Sequence, residues 1–186
     1  MALLRITQAV KRLGIAEAKD AGLTPVQAQT LLFVRRTKTF LTTVGRLADH
    51  LGTTHPTAVG VVNGLAARGL LAKRPDPRDR RVTLLSLTPE GQALCDRLDH
   101  WLEGLDTHLG RLTPDELAAL ERALGAVVHS LHAAGVLAVG LPCRGCVHFR
   151  EHAAPGSPEP HYCALVQRYL DEAEALRDCP DHTPAA

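Results

Sequence analysis

Four cysteines in the last quarter of the chain, Cys143-x2-Cys146-x16-Cys163-x15-Cys179, are the residues best suited to chemistry. Three kinds of centre are open to them. Structural zinc takes four thiolates tetrahedrally, and a Cys-x2-Cys knuckle suits it. Zinc ribbons, however, bring a second close pair, whereas Cys163 and Cys179 stand alone and far apart. An iron–sulfur cluster is bulkier and accepts ligands from separate loops, so a [4Fe–4S] cluster is the first reading and zinc the alternative. Disulfides or a thiol switch come third. The apolar start Met1–Leu4 meets Arg5 at once, with no signal-peptide pattern. No apolar run of about 18 residues offers a membrane span. The expected setting is therefore cytoplasmic and reducing, where clustered cysteines read as metal ligands. His148, His152, His161 and His182 crowd the same segment and read first as exposed or hydrogen-bonded rather than as ligands. Cys95, between Leu94 and Leu98, reads as a small buried hydrophobe.

The segment that carries the four thiols cannot hold them unaided. Its large apolar residues are Val147, Phe149, Tyr162, Leu165, Val166, Tyr169, Leu170 and Leu176, too few for an independent core. A four-thiolate centre supplies the missing staple. Pro142, Pro155, Pro158 and Pro160 interrupt regular structure, and a short helix is expected within 165–177.

Upstream the pattern is helical. Thr24-Pro25, Thr88-Pro89 and Thr113-Pro114 each read as an N-cap followed by proline at the first helical position. Gln27 and Glu116 extend two of them into capping boxes. Helices are thus expected over about 3–20, from 25 to Arg36, from 89, and from 114. Thr43 caps a short helix, Val44–Leu51, which Gly52 stops; Thr54 caps the next, which ends at Gly69. Two short helices joined by a tight turn are a helix-turn-helix. Leu70–Lys73 then reads as a strand, Arg74–Arg80 as a charged turn and Val82–Leu87 as the return strand, which makes a winged helix. Leu94, Leu98, Trp101, Leu102, Leu105 and Leu109 form one apolar stripe, and Leu117, Leu120, Leu124, Val127, Val128 and Leu131 a second. Both are wide for the surface helices of a small domain and suit a dimer interface.

Charge is distributed unevenly along the chain. Residues 35–81 hold ten Lys/Arg against three acids, a net +7, while residues 82–186 carry a net −8. A basic stretch confined to the winged helix is the footprint of a polyanion partner. A recognition helix enters the major groove with its first turn, where Thr54, His55, Pro56 and Thr57 lie. Arg78, Arg80 and Arg81 in the wing suit phosphate contacts or a narrow minor groove, and Asp79 suits orienting a neighbouring arginine.

The stretches Leu47–Gly52, Gly64–Leu71, Asp79-Arg80-Arg81 and Leu87–Gly91 resemble the MarR family of transcriptional regulators, over roughly residues 1–135. The resemblance implies a homodimer on a pseudo-palindromic operator, usually acting as a repressor and open to a small-molecule inducer. Carried to matching positions, it assigns Thr54, His55 and Thr57 to base-reading and Asp79 and Arg81 to the wing. Val59-Gly60 departs from the family pattern, where a polar residue and an arginine are common. The cysteine spacing in turn resembles high-potential [4Fe–4S] proteins, a likeness shared by Phe149, Tyr162–Leu165 and Cys179-Pro180, with Asp181-His182 the departure.

The expected fold class is mainly α with a small β-wing. A winged helix-turn-helix DNA-binding domain spans 23–87, a helical dimerisation region 1–22 and 88–135, and a small metal- or cluster-binding module 136–186. The expected function is a DNA-binding transcriptional regulator whose partners are double-stranded DNA and a second copy of itself, with no membrane. Its centre, held by Cys143, Cys146, Cys163 and Cys179, either senses redox state or gases by fixing the dimer helices at one half-site spacing, or simply braces the dimer. The alternative is a structural zinc tail with a small-molecule inducer. From another class comes a thiol or electron-transfer oxidoreductase. The chain has neither a Gly-rich nucleotide loop nor a recognisable nucleophile–base motif, so an enzyme is not the expectation.

Overall fold

The computed structural model describes residues 2–98, 107–137 and 140–185. Helix α1 covers Ala2–Asp20, α2 Pro25–Arg36, α3 Val44–Leu51 and α4 His55–Ala67. Their ends follow from local chemistry. Thr24 and Gln27 close the capping box of α2, Thr43 Oγ1 accepts the Arg46 N–H at 3.2 Å, and Thr54 Oγ1 accepts that of Thr57 at 3.4 Å. Gly52, at φ 60°, ends α3 in a left-handed conformation that a side chain would resist.

Strands β1 (Leu71–Pro75) and β2 (Thr83–Leu87) pair antiparallel from Leu71↔Leu87 to Pro75↔Thr83. Arg74 and Pro75, expected in the turn, instead extend the strand. Proline at the strand's end forfeits no ladder bond, and the Asp76 N–H continues the pairing onto the Val82 carbonyl at 2.9 Å. The winged helix closes around one core that includes Leu31, Leu47, Ala58, Val62, Leu65, Leu71, Leu85 and Leu98. Cys95 is fully buried within it, as its neighbours predict. Thr42, also buried, donates its hydroxyl to the Leu85 carbonyl at 2.7 Å, and its carbonyl accepts the Leu85 N–H at 2.8 Å, clipping the segment before α3 onto the wing.

Helix α5 (Pro89–Leu98) starts from Thr88, whose hydroxyl accepts the Gly91 N–H at 3.0 Å. His100 and the expected stripe residues Trp101, Leu102 and Leu105 lie outside the described residues. Helix α6 (Pro114–Ala133) begins at the Thr113–Glu116 capping box and has no buried residue along its length. Leu124, Val127, Val128 and Leu131 stay 38–45% exposed, and α1 likewise exposes Leu3, Leu4, Ile6 and Ile15. Among the described residues no helix is long and apolar enough to cross a membrane.

The cysteine segment contains a sheet that its sequence pattern does not announce. Strands β3 (Phe149–Arg150), β4 (His161–Cys163) and β5 (Arg168–Leu170) pair antiparallel in that order, followed by a short helix α7 (Glu172–Leu176). The helix expected within 165–177 is therefore confined to five residues near its end. A turn with Gln167 at φ 50° sends the chain back along β4. That register sets His161 opposite Leu170, each only 1% exposed, and brings the tilted rings of Tyr162 and Tyr169 together with centroids 5.0 Å apart.

This module packs against the winged helix. The end of α2 leaves carbonyls without helical partners. The Asp178 N–H donates to the Arg36 carbonyl at 2.8 Å, and Arg177 Nη1 donates to those of Arg35 and Thr37 at 2.9 and 3.0 Å. The Lys38 N–H donates to the Asp178 carbonyl at 3.0 Å, and Arg46 of α3 pairs with Asp181 at 2.7 Å. Phe40 joins Cys143, Phe149, Cys163, Leu170 and Ala175 in a second small core. These contacts run to α2, α3 and the segment between them.

Candidate nucleic-acid interface and four-cysteine centre

Thr54, His55, Pro56 and Thr57 are exposed on the first turn of α4. The Thr54 and Thr57 hydroxyls share a hydrogen bond of 2.9 Å, which holds both at the helix tip. His55 lines an open cleft between α4 and the wing, together with Thr43, Asn63, Lys73 and Arg81. In the wing, Asp79 accepts from Nε and Nη2 of Arg81, both at 3.0 Å, and from the Arg81 main-chain N–H at 3.0 Å. These bonds to Arg81 hold the Asp79 carboxyl below the usual carboxylate range. The clamp leaves Arg81 exposed with its guanidinium orientation fixed. Arg80 is exposed beside it. Arg78, also exposed, donates from Nη1 to the Val166 carbonyl of the cysteine module at 3.3 Å.

The four cysteines come from separate pieces of the module. Gly145, at φ 77°, bends the knuckle so that the Cys146 N–H donates to the Cys143 carbonyl at 3.0 Å. Cys163 lies in β4, and Cys179 exchanges main-chain hydrogen bonds with Leu141. All four are free thiols, and Cys143 is buried. They stand near enough to interact through their charges, with Cys143 sensing Cys146 and Cys163, and Cys179 sensing Cys143. Burial, the largest effect, pushes the Cys143 thiol up, and Lys38 partly offsets it by its charge and a hydrogen bond. Burial also pushes Cys179 up to about 11, against a main-chain hydrogen bond from Asp181 and the Lys38 charge.

By chemistry alone four thiols, with no other donor type among them, suit zinc or an iron–sulfur cluster. Among the described residues no three His, Cys, Asp or Glu side chains converge within reach of a single metal ion.

Two of the neighbouring histidines are held by contacts within the module. His161 accepts the His152 N–H at Nδ1, at 3.3 Å, which directs its Nε2–H toward Glu172 Oε1, 3.1 Å away. That approach is within ion-pair distance but off the direction of a hydrogen bond. His182 Nε2 lies 3.3 Å from the Arg144 carbonyl, which requires the proton on Nε2. His129 and His132 stand on α6 away from the four cysteines in sequence; His132 Nδ1 contacts the Leu137 carbonyl at 3.1 Å.

Residues 21–82 match a model described as the MarR family. The chain is 37% identical to the multiple antibiotic resistance protein MarR of Salmonella typhimurium over 67 residues, 34% of this chain and 46% of that protein. With its Escherichia coli counterpart it is 37% identical over 71 residues, 37% of this chain and 49% of that one. The chain thus spans about half the length of the curated relatives it matches. The apo structure of E. coli MarR superposes with a TM-score of 0.55 at 26% identity, covering 68% of this chain and 93% of that one. The chain has the MarR winged-helix fold. The S. aureus MepR–DNA complex shares it, with a TM-score of 0.60 at 21% identity over 70% of this chain and 96% of that one. Within this fold His55 and Arg81 line one cleft, and Arg78 donates to the Val166 carbonyl.

Sequence reasoning missed Lys38, Arg46, Arg177, Asp178 and Asp181, which join the module to the winged helix. No motif marks them. Lys38 entered only as one charge in the basic stretch, although a lysine that is 1% exposed is the largest fully buried side chain described.

Proposed function

We propose that the chain is a DNA-binding transcriptional regulator of MarR type, a repressor that acts as a homodimer on a pseudo-palindromic operator. Its sensing element is a four-cysteine centre, a [4Fe–4S] cluster. The observation that carries the reading is the exposed first turn of α4 beside the Asp79-clamped Arg81, on the basic stretch of the chain. In this reading α4 enters the major groove, with His55 and Thr57 at base edges and Arg80 and Arg81 at the backbone or minor groove. The apolar stripes of α1 and α6, exposed in one chain, supply the surface for a second copy. Two winged helices then address half-sites about one helical turn apart.

Cys143, Cys146, Cys163 and Cys179 would hold the cluster, which when bound supplies a redox- and gas-responsive group. The chain's own part is to exclude water from Cys143 and to tie the module to α2 and α3. Because Arg46 and the carbonyls of residues 35–37 belong to the scaffold that sets α3, the state of the module and the placement of α3 are linked.

A zinc clasp with a small-molecule inducer is the second reading. A cleft of about 350 Å³ between α2, α3 and the module, lined by Leu32, Phe33, Arg46, His50, Gly140 and Asp178 among others, favours it.

Two measurements test the proposal. Selection of random duplexes by the pure protein should enrich an inverted repeat; failure to enrich any symmetric sequence refutes the DNA-binding reading. Iron, sulfide and zinc should be quantified with a UV–visible spectrum on anaerobically purified protein. Broad absorbance near about 400 nm with iron and sulfide supports the cluster. One zinc per chain without colour supports the clasp.

A further inference from the structure

Arg78 reaches from the wing to the cysteine module. Its Nη1 donates to the Val166 carbonyl at 3.3 Å, across 88 positions of the chain. The wing tip that carries it is internally stiff. Asp76 accepts the Arg78 N–H at 2.7 Å, and the Asp76 N–H donates to the Val82 carbonyl at 2.9 Å. Asp79 holds both the main chain and the guanidinium of Arg81. A tie at Arg78 is therefore a tie on Arg80 and Arg81. Val166 is itself well anchored. It lies in the turn joining β4 to β5, where the Ala164 N–H donates to the His148 carbonyl at 2.9 Å and Arg168 pairs with Cys163.

The base of the wing is tied to the same module by another route. Phe40 packs with Cys143, Leu170 and Ala175, and the Arg168 guanidinium lies 4.7 Å from its ring centroid. The Lys38 N–H donates to the Asp178 carbonyl at 3.0 Å and the Thr39 N–H to the Glu174 carboxylate at 3.2 Å. Two residues after Phe40, Thr42 makes two hydrogen bonds with Leu85, and Thr43 bridges Leu84, both on β2. The contacts close a ring that runs from β2 through Thr42, Phe40, Arg168, Val166 and Arg78 back to the wing. A two-stranded hairpin is marginal by itself, and one held only at its base can swing about it. A second tie at the tip removes that freedom.

We propose that Arg78 is a positioning residue, through which the module fixes the angle of the wing and hence where Arg80 and Arg81 meet DNA. The inference rests on the DNA-binding reading above and needs no metal in the module. Arginines aimed at a narrow minor groove gain from its width and potential only when they approach at the right angle. Setting that angle before contact removes the ordering cost of a mobile wing. Arg78 then adds to affinity without touching a phosphate. A loosened module weakens DNA binding although its own contacts are with the winged helix.

The test uses the full chain with Arg78→Ala, Arg177→Ala and the double variant, titrated with the selected operator across ionic strengths. Arg177 anchors the module on carbonyls at the end of α2 and gives the module-side variant. Arg78→Ala is expected to weaken operator binding at least about threefold with the salt slope unchanged. Hydrogen exchange should quicken on both sides of the seam, at 76–82 and at 164–168, and stay as in wild type over α4. Both single changes release the wing from the module, so the double variant should lose less than the product of the two. A salt slope lower by about 1, with 164–168 exchanging as in wild type, makes Arg78 a phosphate contact and overturns the proposal. Wild-type affinity and exchange in Arg78→Ala overturn it too, as do single effects that multiply in full. If the wild-type protein enriches no symmetric sequence, the DNA-binding reading falls separately. Exchange at 164–168 in Arg78→Ala then still decides the tie: faster exchange supports it and unchanged exchange refutes it.

Discussion

Replacing Gly91 by alanine should destabilise the protein, although alanine is the better helix former. A Cβ at this position would stand 2.1 Å from the Leu70 carbonyl oxygen, 3.1 Å from its carbon and 3.4 Å from Leu87 Cδ2. Relief requires α5 and the start of β1 to separate by about 1 Å, an overpacking cost of about 1–3 kcal/mol. The Leu70 carbonyl cannot retreat freely, because it accepts the Thr88 N–H at 3.2 Å at the start of α5. Weakening that bond adds about 1 kcal/mol. Alanine returns no more than about 1 kcal/mol of helix propensity at this first turn. The balance is a loss of about 1–3 kcal/mol. For a urea slope near about 1–2 kcal/mol per molar, the unfolding midpoint should fall by about 0.5–3 M at equal protein concentration. Gly60→Ala is the control. Gly60 lies in α4, and a Cβ there would meet nothing within 4 Å, so alanine should raise the midpoint slightly. A Gly91→Ala protein as stable as wild type, or equal destabilisation at both sites, refutes the close-approach argument.

Other perturbations address the interface and the module. Arg177→Ala removes two hydrogen bonds to carbonyls at the end of α2, and undocking of the module should become easier by about 2 kcal/mol. Limited proteolysis within 140–180 checks this, and unchanged cleavage counts against the docking. Arg80→Ala and Arg81→Ala should each weaken DNA binding and lower the salt slope of the association constant by about 1, measured by fluorescence anisotropy across ionic strengths. Asp79→Ala should weaken binding less than Arg81→Ala, since it frees the guanidinium without removing it. Burial lowers His50 from its ordinary value of 6.5, with Asp178 opposing. As pH falls through 6.5 the unfolded chain takes the proton first, so stability should be full above 6.5 and decline below it until the lower folded value is passed. Midpoints at pH 7.5 and 5.5 should converge in His50→Gln, and persistence of the full decline there assigns it to another group.

The winged helix was legible because its signals are local. Thr24, Thr43, Thr54 and Thr113 each cap a helix through an N–H three residues on, and Gly52 ends one with a positive φ. Such contacts need only a few neighbouring residues, so sequence pattern carries them. The module was not legible in the same way. Its strands are two and three residues long, and their register depends on turns such as the one at Gln167. Too few residues alternate there to declare a strand. The site divides likewise. Asp79 and Arg81 are two positions apart and meet as neighbours. Lys38 and Arg177 are 139 positions apart, and nothing in either flank announces their meeting. Arg78 shows the same limit from the other side: composition makes it a wing cation, and only the fold turns it to Val166.

The joint between module and winged helix also bears on inheritance. The acceptors on the α2 side are main-chain carbonyls of residues 35–37, which any side chain provides. The identity of the joint is written almost entirely in Lys38, Arg46, Arg177 and Asp181. A lineage that loses the module leaves Lys38 without the carbonyls it donates to and Arg46 without Asp181, and both positions become free to drift. A lineage that gains such a tail needs very few changes on the older domain, since most of the receiving surface is backbone it already has. Cysteines and joint residues should therefore be kept together or lost together, while the α2 side chains around them vary.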